Sequence, residues 1–93
     1  MIIGTFTKQP AEVLDYATDL RQWLPLGDYA VSAVTTATTG IVVVSTLITD
    51  VGKGIRVWLS GGTSGQKYKV QVRFVTDHGR TKEYEFVVRV KEF

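Results

Sequence analysis

The sequence contains no cysteine. Disulfides and thiolate metal sites are excluded, and the redox compartment cannot be read from the chain. Histidine is almost absent too: His78 is the single one, and it lies in a predicted turn. A lone imidazole with no carboxylate at a useful local spacing does not build a metal site, and no Ser-His-Asp arrangement can be drawn around it. Asp15, Asp19 and Asp28 form a loose acidic set without a D-x-D-x-D-G calcium loop, and are read as solvated acids. The glycines of Gly61-Gly62-Thr63-Ser64-Gly65 lack the Lys-Ser/Thr and helix of a phosphate loop, so they mark a turn. No catalytic residue, cofactor or metal is expected, and the chain is not expected to be an enzyme.

An excess of one charge is also missing. The formal net charge is +2, and Lys and Arg are interleaved with Glu and Asp. Neither nucleic acid nor an anionic membrane is therefore an expected partner. Long apolar runs are absent as well. Met1-Ile2-Ile3-Gly4-Thr5-Phe6 has no basic n-region, so neither signal peptide nor membrane span is expected, and a protein made and assembled in the cytosol fits.

What is present is alternation. In 66–76, Tyr68, Val70, Val72 and Phe74 alternate with Lys67, Lys69, Gln71 and Arg73. In 80–92, Lys82, Tyr84, Phe86, Val88 and Val90 alternate with Thr81, Glu83, Glu85, Val87, Arg89 and Lys91. Period two is the mark of strands with one wet face. Asp77-His78-Gly79 between them fits a type I turn with a glycine bulge. Thr76 should then face Arg80, with Val72 opposite Tyr84, Val70 opposite Phe86 and Arg73 opposite Glu83. Lys67, Lys69, Gln71, Arg73, Glu83 and Glu85 would make a mixed-charge face.

Upstream, 55–60 is a short strand with Ile55, Val57 and Leu59 inward. The β-branched runs 41–49 and 29–37 are two more. Segment 13–24 fits a helical stripe or alternation; a strand at 13–20 followed by one helical turn near Trp23 is preferred. The 93 residues thus read as one all-β domain, an Ig-like or fibronectin-like antiparallel β-sandwich of about seven strands, spanning 10–93 after an N-terminal arm at 1–9. Tyr68, just after the glycine loop, stands where a tyrosine corner would sit.

Function then falls to surface. If Ile55, Val57 and Leu59 face the core, Trp58 and Arg56 point outward, and an outward Trp is a candidate interface anchor. Ile41–Val44, apolar on both faces, hints at a covered outer face. The apolar arm, with Ile3 and Phe6, either pairs within the fold or docks on a neighbour. Trp23 completes the candidate interface set.

Three stretches carry a family resemblance. They are Lys8-Gln9-Pro10-Ala11-Glu12-Val13-Leu14-Asp15-Tyr16 on through Asp19, Trp23-Leu24 and Gly27-Asp28; Val57-Trp58-Leu59-Ser60-Gly61-Gly62-Thr63-Ser64-Gly65 with Tyr68 and Val70; and Thr76-Asp77-His78-Gly79-Arg80-Thr81 with Glu85 and Phe86. On these the chain resembles the small fiber–tail adaptors of tailed phages, Ig-like virion proteins. It departs from them at Leu20 and Val34, where relatives often carry Trp. The resemblance implies a non-enzymatic virion component, assembled in the host cytoplasm. It would be present in several copies of a symmetric assembly and join tail, fiber or head–tail subunits. Sandwiches also serve as carbohydrate- or cell-surface-binding modules and as capsid decoration domains, which are the alternatives.

Overall fold

The computed structural model describes residues 2–92; Met1 and Phe93, at the ends of the expected arm and domain, lie outside the described residues. Seven strands follow in order: β1 Ile2–Lys8, β2 Leu14–Asp19, β3 Ala30–Ala37, β4 Ile41–Thr49, β5 Gly54–Gly61, β6 Lys67–Thr76 and β7 Thr81–Val90. They make two sheets, β1-β7-β6-β3 and β2-β5-β4. The all-β sandwich expected from alternation is the fold observed, and its strand order is consistent with an Ig-like arrangement.

The two sheets meet because their inward residues are the apolar half of each alternation. Val70, Val72, Phe74, Tyr84, Phe86 and Val88 from the larger sheet are buried against Ile55, Val57 and Leu59 from the smaller one. The β6–β7 register is the one expected, with Val72 opposite Tyr84, Val70 opposite Phe86 and Arg73 opposite Glu83. The turn explains it. Gly79 sits at φ 82°, Thr76 N–H donates to Arg80 O at 2.8 Å, and Gly79 N–H donates to Thr76 O at 3.0 Å.

Segment 13–24 is a strand, β2, followed by a turn in which Trp23 N–H donates to Leu20 O at 2.9 Å. The N-terminal arm takes the first of its two options: as β1 it pairs within the fold, parallel to β7. The larger sheet is therefore mixed rather than wholly antiparallel. Strands from opposite ends of a chain need no tight turn between them, so the parallel ladder costs no loop geometry here.

Tyr68 forms the expected corner: its hydroxyl accepts from Thr63 N–H at 2.8 Å. Tyr68→Phe should leave that amide without its acceptor and cost about 1 kcal/mol. The readout is a lower denaturant midpoint at unchanged slope; an unchanged midpoint would mean water serves the amide equally well.

Candidate docking surface

Alternation along β5 buries Ile55, Val57 and Leu59 and leaves Arg56 exposed and Trp58 half-buried on the outer face. The register places Asp15 and Ser45 on either side of Trp58, and Ala17 and Leu47 on either side of Arg56. Arg56 Nε lies 3.3 Å from an Asp15 oxygen. The β4 run is not covered on its outside. Ile41 is buried and Val43 packs on the core, but Val42, Val44 and Leu47 are exposed. A register shift between Val43 and Ser45 puts Val44 in a bulge. The outer face of the three-stranded sheet thus carries a Trp, an ion-paired Arg and three aliphatic side chains.

The other candidates do not join that face. Phe6 on β1 packs its ring 5.2 Å from Tyr16 and edge-on to Phe86 at 5.7 Å. Ile3 is half-buried against the core, and so is Trp23, whose ring lies 5.4 Å from Tyr84. Ile3 and Trp23 pack on the core, and Phe6 covers Tyr16 and Phe86 while remaining 39% exposed; Trp58 and Arg56 alone of the candidate set share the outer face.

The outer face of the larger sheet differs in chemistry. Lys69 pairs with Glu85 at 3.1 Å and Arg73 with Glu83 at 3.1 Å, while Gln71 donates to Glu83 at 2.7 Å. Opposite charges placed across strands satisfy one another, as the alternation predicts.

The acidic set does not gather. Asp15 pairs with Arg56, and Asp19 with Arg21 at 3.2 Å. Asp28 corrects the expectation of a solvated acid: it is 1% exposed. Its carboxylate accepts from Tyr29 N–H at 2.9 Å, His78 Nδ1 at 3.0 Å and Arg80 at 2.8 Å. Burial pushes this carboxyl up, but bonds from His78, Thr76, Tyr29 and Arg80 outweigh it and hold it well below its ordinary value. Lys53 donates to the Asp28 carbonyl. The loops 20–29, 50–53 and 77–80 are thereby tied together at one end of the sandwich. Gly52 there sits at φ 88°, and a Cβ would meet Tyr29 Cβ at 2.7 Å and Ala30 O at 2.9 Å, so only glycine fits. Among the described residues no three His, Cys, Asp or Glu side chains converge on a common point.

Lys8 is a second buried charge that alternation alone misses. Its Nζ donates to Gly61 O at 2.6 Å and to Gln9 O at 2.7 Å. Burial lowers its pKa, with Glu12 opposing. The contacts fasten the β1–β2 turn to the end of β5.

Against known families, the model described as the podophage GP4 fiber-tail adaptor protein gp77 matches residues 8–89, most of the chain. A search of curated proteins returns no match.

Proposed function

We propose, from the premise that this chain belongs to the podophage GP4 fiber-tail adaptor family, that it is a non-catalytic adaptor. It would join neighbouring tail, fiber or head–tail subunits of the virion through the outer face of its three-stranded sheet. The observation that carries this reading is the grouping of half-buried Trp58 with exposed Val42, Val44 and Leu47 on one face. A Trp flanked by aliphatic residues and one Arg has the composition of an interface centre, where aromatics and Arg are enriched. The mixed-charge face of the larger sheet suits looser, polar contacts. Lys69, Arg73, Glu83 and Glu85 there are already paired, so a partner gains little from them.

Leu47→Asp tests the reading in particles. Leu47 stands opposite Arg56 in the register, so an Asp there acquires a cationic neighbour and the fold tolerates it. Virions assembled with Leu47→Asp should lose most of their adaptor and fiber content, while Lys67→Asp on the other sheet should leave it intact. Normal incorporation of Leu47→Asp would remove this face from the adaptor's contacts.

A further inference from the structure

We propose that a second copy of this chain pairs with the free edge of β3, antiparallel and centred on Val34. The proposal goes beyond the adaptor reading and does not rest on the Trp58 face.

Its starting point is an unguarded edge. β3 is the last strand of the larger sheet and β4 the last of the smaller. From Tyr29 to Thr49 there is no charged residue and no proline. Natural edge strands carry such residues to prevent pairing with other chains. The β2 edge follows that rule, since Asp15 and Asp19 are both exposed. β4 is interrupted by its bulge at Val44. β3 runs straight after an irregularity between Ala30 and Ser32.

The register says which backbone groups are free. Thr38 N–H donates to Lys69 O at 3.0 Å, and Ala37 lies opposite Val70. In an antiparallel ladder alternate residues bond the same neighbour. Ser32, Val34 and Thr36 therefore bond β6, and the N–H and C=O groups of Ala33, Thr35 and Ala37 point away from the sheet. On the inner side, the Thr35 and Thr46 hydroxyls meet at 2.7 Å and close the sandwich.

A row of free donors and acceptors is complemented by another extended backbone. A second β3 fits it without a mismatch. Bonding between the outward-pointing groups of two copies sets Ala33 opposite Thr35 of the other copy. The two-fold axis then passes between the two Val34 residues, a non-hydrogen-bonded pair with side chains closest. Val34 is 64% exposed, the most exposed large apolar side chain on a strand among the described residues. Ser32 falls opposite Thr36, so small neutral groups meet throughout. The nearest charge in the sheet, Arg73, is paired with Glu83. One self-complementary edge makes a closed pair, since the β3 edge of each copy is used up by the other.

The absence of cysteine makes the register testable. In Val34→Cys the two new thiols face each other across the axis, with Cα atoms about 4.5 Å apart, within disulfide reach. In Thr36→Cys they lie on the order of 14 Å apart. Under mild oxidation at equal concentration, Val34→Cys should form a disulfide-linked dimer at least about tenfold faster than Thr36→Cys. Adding Ala33→Pro removes a donor that faces away from β6 and should slow the linkage about tenfold in a folded chain. Adding Leu47→Asp should leave it unchanged, which separates this contact from the adaptor face. Equal rates for Val34→Cys and Thr36→Cys would overturn the proposal.

Discussion

Trp58→Ala should weaken the chain's hold on its virion partner by about thirtyfold or more, equivalent to ~2 kcal/mol, while the isolated domain stays folded. The asymmetry follows from where the indole sits. The core beneath it is built by Ile55, Val57 and Leu59, which point the other way. Trp58's neighbours in the sheet are Asp15 and Ser45, short polar side chains that leave much of its packing to a partner. Val42, Val44 and Leu47 around it would exclude water from such a contact. Titration of the variant against the partner, beside a thermal melt of the free chain, measures both halves. A variant that unfolds would put Trp58 in the core's service; one that binds normally would move the contact to another face.

Asp28→Ala should lower the melting temperature by roughly 10 °C. Removing the carboxylate strands donors from Tyr29, His78 and Arg80 and frees the β6–β7 turn from the loop before β3. Protection of amides in 20–29 and 77–80 should fall with it. The pH dependence has a definite sign. The folded carboxyl titrates below its ordinary 3.8, so its contribution is complete above that value and is lost as pH falls beneath it. Asp28→Asn should therefore remove part of the acid sensitivity of the wild type below about pH 4. An unchanged acid limb would show that the pairing is no stronger in the folded chain than in the unfolded one.

The fold was legible where a strand has one wet face. In β6 and β7 the alternation names the core residues, and the Gly79 turn then allows only one register. The same parity argument places Trp58 outward. It fails for Asp28 and Lys8, because a buried charge is settled by partners brought in from far along the chain. Arg80 is one such partner for Asp28, and the Gly61 carbonyl for Lys8. Local spacing carries no trace of either. Trp23 shows the same limit: its turn was legible, but not that the fold lays one side of the ring on Tyr84. For β1, an apolar segment left pairing within the fold and docking on a neighbour both open, since a parallel partner leaves no turn signal.

That parallel partner has a mechanical meaning. β1 and β7 run side by side from Ile2 beside Glu85 to Lys8 beside Val90, so the start of one and the finish of the other lie at opposite ends of their shared ladder, on the order of 17 Å apart. Tension applied between the two chain ends pulls these strands past each other. The ladder is loaded in shear, and its hydrogen bonds share the force instead of peeling one after another. The Lys8 latch adds resistance at the end where β7 finishes: the Lys8 carbonyl accepts from Lys91 N–H at 2.9 Å while its ammonium grips Gly61. A domain wired in this way resists a pull along β1 and β7 without unravelling.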